Sequence, residues 1–433
     1  MWRSIGKVSL VLGVLGVLAS GAVCAQASAL PPPVFGAAQG VQIKEWSVTD
    51  RELEMMKAAG LSFVRFPMPW YAVEKNKGRF DWRVFDGVVE RLHDHGLKAV
   101  IILGAGHPAY TGVAEQQHED GTLEETYPAP VTPEEIDAFA AYVRAAAAHF
   151  DGNGVVWELW NEPDSRLFWY PKPDGAAYVA MAVPACRAIK EAVPDSVVMG
   201  PGMAAMAGGD DAAASAFLGQ VLKSPLASCL DAVSLHPYRD RAVPPELVLE
   251  AYAKTRAFIE AHTPDGMEPL PLVASEWGFS TAEVSSDAQA DYALRSFLLN
   301  VMDDVPLSIW YEWYDSLTGE ADPEAHFGLI DHDKKPKVAY EVLASFLPAL
   351  TGCVFEARIA LPDPLDYLVV FRREDGSGAV VYWTARPQTE LSVQVAIGDS
   401  NEKKTLTLRN RPQMKPLVVD EMVALAGGEG GAE

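Results

Sequence analysis

Two glutamates in this sequence follow apolar runs that are typical of buried strands. The stretch VVWELWNEPD, residues 155–164, ends its apolar run with Asn161 and Glu162. The stretch LVASEWG, residues 272–278, delivers Glu276 in the same way. Cleavage of a glycosidic bond needs two carboxyl groups: one donates a proton, and the other attacks carbon or activates water. The two glutamates therefore predict a hydrolytic site for a sugar, provided that the fold brings them together.

Other side chains suited to sugar binding come at or after the ends of further apolar runs. Polar groups can hold sugar hydroxyls, and flat aromatic rings can stack on the apolar faces of the sugar. The predicted polar contacts, besides Asn161, are Arg65, His107, His236 and Tyr238, and the predicted stacking platforms are Trp277, Trp313 and Trp169. If all the runs are strands of one barrel, their carboxyl ends meet on one face, and these side chains converge there.

The elements between residues 30 and 350 repeat one pattern, an apolar run followed by a polar loop and an amphipathic helix. Capping boxes mark two helix starts, at Thr49 with Glu52 and at Thr132 with Glu135. The predicted strands are residues 34–38, 62–66, 99–103, 155–160, 196–199, 232–235, 272–275 and 307–311. Eight strands alternating with helices predict an α/β fold, a (β/α)8 TIM barrel. A doubly wound sheet is the structural alternative, but no GxGxxG motif follows the first strand.

The sequence pattern changes after residue 350, where amphipathic helices no longer alternate with apolar runs. Short alternating runs at 365–371, 379–383, 391–397 and 405–408 are typical of antiparallel strands, and DGSG at 375–378 is typical of a hairpin turn. The sequence thus predicts a small C-terminal antiparallel β module, sandwich-like, over residues 355–423, with residues 424–433 as a flexible tail. Because the module shows no dense aromatic face, we expect a structural role in preference to glycan binding.

The amino terminus has the three-part layout of a secretory signal peptide. Arg3 and Lys7 precede an apolar run at 8–23, and small residues follow it. We expect a signal peptide over residues 1–29 and an exported, periplasmic or extracellular protein. An uncleaved anchor is the alternative, which would place the chain at a membrane, because the run is only slightly short of the ~17 residues of a spanning helix. Lipidation at Cys24 is disfavoured by Val23 before it.

Charge and cysteine content exclude some partners. The formal net charge is −24, which repels nucleic acid and acidic polymers and favours a neutral or cationic substrate. In an exported chain two of Cys186, Cys229 and Cys353 could form a disulfide, but their spacing does not say which two. The sequence contains no CxxC motif, so that we expect no structural zinc and no cofactor. The triplets at 93–95 (HDH) and 331–333 (DHD) are interpreted as solvated polar segments and not as metal sites.

Several motifs resemble a known group of enzymes. WNEP at 160–163, SEWG at 275–278 and HPY at 236–238 resemble glycoside hydrolase clan A. Longer stretches around these motifs, and HFGLIDHDKKPKVAYEVLASFL at 326–347, are similar to family 39 of that clan, in particular to its bacterial endoglycosidases that act on exopolysaccharides. The resemblance covers about residues 34–347 and leaves out the β module. Family 39 also contains β-xylosidases and iduronidases, so that the resemblance does not fix the sugar.

The resemblance implies a role for each motif residue. Glu162 would be the general acid/base and Glu276 the nucleophile of a retaining reaction. Asn161 would bind the hydroxyl next to the anomeric carbon, Tyr238 would orient Glu276, and Arg65 would keep Glu276 charged. His107 and His236 are further candidates for sugar contacts.

The sequence thus predicts a retaining β-glycosidase, acting within a bacterial exopolysaccharide and not on its ends. An exo-acting β-xylosidase-like hydrolase and a transglycosylase with the same glutamates are alternative enzymes. A non-catalytic carbohydrate-binding protein of a polysaccharide export system is the alternative from another class. The sequence leaves the sugar, the linkage and the oligomeric state open.

Overall fold

The computed structural model of the protein describes residues 30–117, 122–239, 243–316, 322–387, 389–398, 403–419 and 421–425. The predicted signal peptide and most of the predicted tail, residues 426–433, lie outside these ranges. Among the helices that the structure describes, none is long and apolar enough to cross a membrane.

Between residues 39 and 350, the part of the chain that the structure describes contains strands and helices in alternation. The strands are β1 (Gln39–Gln42), β2 (Phe63–Pro69), β3 (Lys98–Gly104), β4 (Ala114–Gln117), β5 (Leu123–Thr126), β6 (Val156–Leu159), β7 (Val197–Met203), β8 (Ala232–Leu235), β9 (Leu272–Trp277) and β10 (Ser308–Trp310). The helices are α1 (Asp50–Ala58), α2 (Trp70–Val73), α3 (Arg83–Asp94), α4 (Pro133–His149), α5 (Gly175–Ala192), α6 (Ala212–Leu222), α7 (Val248–His262), α8 (Ser286–Met302) and α9 (Val338–Leu350), with 3₁₀ turns at Pro245–Leu247 and Pro323–Ala325.

Eight of these strands close into a parallel barrel in the order β1-β10-β9-β8-β7-β6-β3-β2. The (β/α)8 barrel predicted from the sequence is therefore confirmed. The predicted capping boxes are present at the starts of α1 and α4, where Thr49 and Thr132 accept the backbone N–H groups of Glu52 and Glu135. The strands β4 and β5, which the sequence analysis missed, form a separate antiparallel hairpin after β3.

The prediction of the first strand at residues 34–38 is wrong. A turn occupies this segment, in which Ala37 N donates to Val34 O, and Gly36 has φ +81°. A side chain at Gly36 would be strained by that φ. Strand β1 starts only at Gln39. Phe35 packs its ring edge-on against Phe371, with 5.2 Å between centroids, so that its apolar character serves the contact with the C-terminal module and not a strand.

The amino-terminal end of the barrel is sealed by apolar side chains. Residues in or next to seven strands meet there with Leu30, and all are buried, namely Phe63, Val100, Val156, Met199, Ala232, Val273, Leu307 and Ile309. Layers of inward-pointing branched and aromatic residues are the usual filling of such a barrel. Because this end is closed, the polar side chains near the other ends of the strands face the open mouth.

The C-terminal part of the chain is an all-β module. Its strands are β11 (Val354–Arg358), β12 (Asp366–Arg372), β13 (Gly378–Thr384), β14 (Leu391–Ile397), β15 (Lys403–Leu408), β16 (Gln413–Leu417) and β17 (Val423–Leu425). They form two antiparallel sheets, β11-β12-β13-β16 and β15-β14-β17. A buried cluster that includes Leu368, Val380 and Leu406 draws on both sheets, which shows that they pack face to face.

The module packs against the barrel through the opposite face of β12 and β13. Side chains of a strand alternate between its two faces. Leu368 and Val370 point into the module, whereas Tyr367, Val369 and Phe371 join the large core cluster of the barrel. Both faces of β12 are therefore buried, which explains its nearly continuous apolar sequence.

One disulfide joins Cys186 in α5 to Cys229 after α6. It closes a loop between positions 43 residues apart, which on the chain-entropy model contributes roughly 3 to 4 kcal/mol. Cys353 is a buried free thiol. The pairing that the spacing left open is thus between the first two cysteines downstream of residue 30.

Candidate active site

Five predicted polar residues meet at the open mouth of the barrel. Arg65 comes from β2, Asn161 and Glu162 follow β6, His236 follows β8, and Glu276 lies near the end of β9. Side-chain atoms of Glu162, His236 and Glu276 approach within 4.8 Å of one another. Side chains that are 114 positions apart in the sequence are thus brought together because strand ends converge in a barrel.

Glu276 is held as a buried carboxylate. Arg65 Nη1 donates to its Oε2 at 2.5 Å, and the hydroxyl of Tyr238 donates to its Oε1 at 2.8 Å. Burial alone would raise the pKa of Glu276, but the charges of His236 and Arg65 and the hydrogen bond from Tyr238 outweigh it and hold the pKa below its ordinary value. The ionised form of Glu276 is therefore favoured.

Glu162 faces the same cavity and has a different set of contacts. Its Oε1 lies 2.7 Å from His236 Nδ1. The other ring nitrogen, Nε2, lies 3.3 Å from Arg65 Nη2, which can only donate. In the neutral ring Nε2 therefore accepts and Nδ1 carries the hydrogen that is donated to Glu162. The same nitrogen, Nδ1, also lies 3.9 Å from Glu276 Oε1, so that His236 faces both glutamates with one ring nitrogen.

Burial would lower the pKa of His236, but the charge of Glu276 and the hydrogen bond and charge of Glu162 leave that pKa above its ordinary value. The site as a whole carries an excess of negative groups around two basic ones. The protonated form of the His236 imidazole is therefore favoured beside the two glutamates.

Arg65 is the centre of the network. Its guanidinium donates to Gln42, to Asn161 Oδ1 at 2.9 Å and to Glu158 Oε2 at 2.7 Å, in addition to Glu276. Burial would lower the pKa of Arg65, but the charges of Glu158 and Glu276 raise it. Arg65 occupies the side-chain oxygen of Asn161, which leaves the amide nitrogen as the donor that can face a ligand.

The backbone at the end of β6 is strained. Trp160 has φ +74° and Glu162 has φ +44°, values that are unfavourable for residues other than glycine. Backbone hydrogen bonds hold this turn, from Glu162 N to Gly202 O at 2.8 Å and from Trp160 N to Leu103 O at 2.9 Å. Strain of this kind gathers at functional sites, where the surrounding structure holds it.

The two glutamates line a cavity of about 660 Å³. Its walls carry Asn161, Tyr238 and Lys44, and several large apolar side chains, namely Tyr71, Tyr127, Trp160, Leu167, Phe168, Tyr311 and Phe327. Tyr71, Leu167 and Phe168 remain 40 %, 49 % and 41 % exposed. We call the aromatic side chains of Tyr71, Tyr127 and Phe168 the aromatic wall.

The three tryptophans predicted as sugar platforms are buried in the core, so that this part of the prediction is corrected. Trp277 stacks edge-on with Phe297 and Trp310 and donates to Ser308 Oγ. Trp313 is fully buried and donates to Glu52. Trp169 packs edge-on against Trp160. Residues alternate inward and outward along a barrel strand, so Trp277, directly after the inward-facing Glu276, faces the helices.

His107, predicted as a sugar contact, lies behind the site. Its Nε2 is 2.5 Å from the backbone oxygen of Glu74, and its Nδ1 accepts from Ala109 N. Its ring packs on Trp70 with 5.1 Å between centroids. With 3 % of its surface exposed, His107 fixes the loop after β3 instead of meeting a ligand.

Sequence reasoning missed residues that line or support the cavity. Tyr311, placed in the last predicted strand, lies in the cavity wall and donates to Glu324 at 2.9 Å. Lys44 lies 3.0 Å from Glu312 and faces the same cavity. Glu312 is buried, and its desolvation outweighs the charge of Lys44 and raises its pKa to about 7. Glu158, which accepts from Arg65, was also missed. Side chains alternate along a strand, and Glu158 precedes Glu162 by an even number of residues, so that this spacing could have indicated a carboxylate that points into the barrel.

Glu162, His236 and Glu276 together offer three atoms that could hold a metal ion. The guanidinium of Arg65 already lies against Glu276 and faces His236. A cation between these atoms would therefore be repelled by a fixed positive charge.

Comparison with known proteins agrees with this geometry. The family model described as cellulase (glycosyl hydrolase family 5) matches residues 34–316, which include all the polar residues of the site. Among curated proteins, the β-galactosidase Bga of Halorubrum lacusprofundi is 33% identical over 88 residues, which are 19% of this chain and 12% of that protein. The matched segment therefore spans only a small part of that relative.

Solved structures share the fold. A family 39 glycoside hydrolase from Bacteroides cellulosilyticus matches 90% of this chain and 82% of its own, with a TM-score of 0.72 and 20% identity. A monomeric β-xylosidase from Caulobacter crescentus matches 91% of this chain and 96% of its own, with a TM-score of 0.60 and 17% identity. The predicted resemblance to family 39 is thereby confirmed at the level of the fold. The chain is a glycoside hydrolase and belongs to the cellulase family, glycosyl hydrolase family 5.

Proposed function

We propose that this glycoside hydrolase cleaves β-glycosidic bonds with retention of configuration, by double displacement between Glu276 and Glu162. The observation that carries the proposal is the close approach of the two glutamates, with oxygens within 4.8 Å of one another. Retaining enzymes hold their carboxyl groups roughly 5 to 5.5 Å apart, whereas inverting enzymes leave roughly 6.5 to 9.5 Å for a water molecule. The short separation favours direct attack by one carboxylate.

In the first step Glu276 attacks the anomeric carbon and Glu162 gives its proton to the departing oxygen. The C–O bond to the leaving group breaks, and an ester between the sugar and Glu276 forms. In the second step Glu162, now a carboxylate, takes a proton from water, and the resulting hydroxide displaces Glu276. Arg65 and Tyr238 support the first step by keeping Glu276 ionised.

Asn161 has the right contacts to assist the transition state. With its oxygen bound to Arg65, its amide nitrogen can donate to the hydroxyl next to the anomeric carbon. Hydrogen bonds to that hydroxyl strengthen as positive charge develops on the sugar ring. Tyr311, in the wall of the same cavity, offers an aromatic face to this sugar.

We propose further that the substrate is a polysaccharide cleaved within its chain, as in a bacterial exopolysaccharide. The aromatic wall supports this, because exposed aromatic rings in a cavity are surfaces that further sugar units can cover. Gln116, in the β4–β5 hairpin, donates to Arg166 O at 3.0 Å and links the hairpin to the loop that carries Leu167 and Phe168. The wall is therefore a braced surface.

The decisive experiment is mass spectrometry of products released from a panel of bacterial and plant polysaccharides, combined with proton NMR of the first-formed anomer. We expect oligosaccharides of retained configuration from the wild type and at least ~10³-fold lower rates from Glu276→Gln. Glu341→Gln, an exposed glutamate on α9, is the matched control and should cleave at the wild-type rate.

Each alternative has its own signature in this experiment. Release of monosaccharides alone would replace the proposal by an exo-acting β-xylosidase-like activity. Longer products from added acceptor sugars would indicate a transglycosylase. Binding without cleavage by the wild type would make the chain a carbohydrate-binding protein, and inverted products would contradict the two-step mechanism.

We also propose that the protein is exported after removal of residues 1–29. A disulfide between Cys186 and Cys229 supports this, because such bonds persist in oxidising compartments. Amino-terminal sequencing of the mature protein, together with fractionation of the producing cell, tests the proposal. An intact amino terminus in the membrane fraction would favour the anchor instead.

A further inference from the structure

A second cavity adjoins the proposed catalytic cavity. It measures about 520 Å³ and lies beside the loops after β7 and β8. Tyr238 lines both cavities, and His236, which bonds to Glu162, lines the second. A ligand that extends from the reacting sugar past Tyr238 would therefore enter this space, which we call the Arg239 cavity.

The wall of the Arg239 cavity contains a guanidinium that lacks an anionic partner among the described residues. Arg239 Nη2 donates to the sulfur of Met206 at 3.1 Å, a weak acceptor. Its Nε is buried and makes no hydrogen bond to any residue that the structure describes. Burial lowers the pKa of Arg239, with only a small opposing effect from Tyr252. A buried donor left without an acceptor costs free energy, and an incoming acceptor would recover it.

Two of the carboxylates that line the same cavity are engaged elsewhere. Asp211 caps α6 by accepting from Ala214 N at 2.8 Å. Glu250 pairs with Lys254 at 2.8 Å. Three acidic residues line this cavity, yet among the described contacts Arg239 pairs with none of them. The contrast with Arg65, whose guanidinium is surrounded by acceptors, marks Arg239 as the basic group that is open to a ligand.

We propose that the Arg239 cavity binds a carboxylate carried by the sugar unit next to the reacting one, so that the substrate contains an acidic sugar. A guanidinium binds a carboxylate through two parallel hydrogen bonds, which gives both affinity and orientation. Small apolar residues, Ala204, Ala205 and Ala251, line the rest of the wall and leave room for a sugar ring. As a substrate subsite this inference rests on the proposed function, but the binding itself does not.

The global charge limits what this site selects. A chain with net charge −24 repels a polymer that is acidic at every unit. One arginine in a pocket instead recognises an isolated acidic unit within an otherwise neutral chain. Composition alone favoured a neutral or cationic substrate, and the proposed site narrows this expectation to a mainly neutral polymer that carries spaced carboxylates.

The test measures binding of D-glucuronate and of D-glucuronamide, its uncharged isostere, to the full chain by NMR titration. We expect glucuronate to bind at least ~10-fold more tightly, because a charge-assisted hydrogen bond is lost in the amide. Arg239→Met should abolish that preference, and Arg239→Lys should keep part of it. Arg91→Met, on the exposed face of α3, is the matched control and should retain it.

Several outcomes would overturn the proposal. Equal affinity for the two sugars, no binding of glucuronate up to high millimolar concentrations, or a preference that survives in Arg239→Met would each do so. If inorganic sulfate competes as well as glucuronate, the site is a general anion site and the acidic sugar is wrong. Melting curves of each variant show that the protein remains folded. Since no bond is cleaved in this test, its failure leaves the proposed mechanism untouched, and a failure of cleavage leaves this binding result untouched.

Discussion

Among the described residues of the barrel, two arginines are fully buried, and their surroundings differ in charge balance. Arg65, at the open mouth, bonds to the two carboxylates Glu158 and Glu276 and faces His236. Arg295, in α8, bonds through Nε and Nη2 to the single carboxylate of Glu246. Both arginine side chains are at most 1 % exposed. Similar residue types thus build an unbalanced cluster at one place and a neutral pair at the other.

The neutral pair, Arg295 and Glu246, lies at the contact between the barrel and the β module. Trp383 of β13 donates to Glu246 Oε1 at 2.8 Å, and its ring stacks on Tyr367 with 4.5 Å between centroids. The two charges balance each other, and neither residue lines the catalytic cavity or the Arg239 cavity. Such a pair gives geometric specificity to a packing surface, and its net contribution to stability is small compared with the cost of breaking it.

The unbalanced cluster has a different consequence. One arginine lies between two carboxylates, so that the cluster keeps an excess of negative charge. The charges of Glu276 and Glu162 raise the pKa of His236. Groups with shifted pKa values beside a cavity are typical of catalytic sites. A buried arginine is therefore not by itself a sign of an active site. The charge imbalance around Arg65, which the Arg295–Glu246 pair lacks, is what distinguishes the candidate site.

The largest expected effect comes from Arg65→Met. The variant leaves Glu158 and Glu276 without their shared cation, so that the pKa of Glu276 rises and the nucleophile is neutralised. We expect kcat/KM to fall by roughly 10³-fold, comparable to the loss of an electrostatic stabiliser in an active site. The acidic limb of the pH–rate profile should move to higher pH, because the acid form of Glu276 then persists further.

Arg65→Lys is the control for that experiment. It keeps the charge but loses the planar fork, so that part of the activity and a smaller displacement of the pH profile are expected. A fall in rate without any displacement of the acidic limb would show that Arg65 acts on the shape of the site and not on the charge of Glu276.

At the other arginine, Arg295→Met should change stability and not chemistry. Glu246 would remain buried without its cation, with only the hydrogen bond from Trp383, which costs about 3 to 5 kcal/mol of unfolding free energy. Urea denaturation measures this loss, and kcat/KM determined below the melting range should stay at the wild-type value. The double variant Glu246→Gln/Arg295→Met removes both charges and should recover part of the stability. A comparable loss of kcat/KM in the folded variant would contradict the distinction between the two arginines.

A further prediction concerns Glu312, whose pKa is raised to about 7 by burial. Between its unfolded value near 4.5 and 7, the folded state binds more protons than the unfolded state. The contribution of Glu312 to the unfolding free energy is therefore complete at low pH and decreases as pH rises through this window, by at most on the order of 3 kcal/mol.

The measurement is the difference in unfolding free energy between the wild type and Glu312→Gln at several pH values. A difference is needed because the lowered pKa of Glu276 acts in the opposite direction, stabilising the fold as pH rises. The wild type should lose stability relative to the variant from pH 4.5 to 7. A constant difference across this range would mean that Lys44 keeps Glu312 ionised throughout.

The arrangement of the glutamates could be predicted from sequence, because strand ends in a barrel have only one place to meet. The burial of the predicted tryptophan platforms in the core could not be predicted from their positions after strand ends. Trp277 and Trp313 face the helices, where Phe297 and Tyr340 are their neighbours. Only the inward and outward alternation around Glu276 contains this information, and it requires the register of the strand. Arg239 was beyond prediction, since what matters is the absence of a partner among the described residues and not a motif.

The smallest expected effect, Tyr238→Phe, tests the finer part of the comparison. The hydroxyl donates to Glu276 Oε1 at 2.8 Å, and this bond is one of the causes that lower the pKa of Glu276. Its loss should reduce kcat/KM by about 10-fold and move the acidic limb slightly upward, because a hydrogen bond to a charged group is removed. Tyr142→Phe is the matched control, since its buried hydroxyl donates to the backbone oxygen of Met68. That variant should lose about 1 kcal/mol of unfolding free energy with kcat/KM unchanged. If both variants lost activity equally, the rate would depend on the rigidity of the barrel, and charge control at Glu276 would be the wrong explanation.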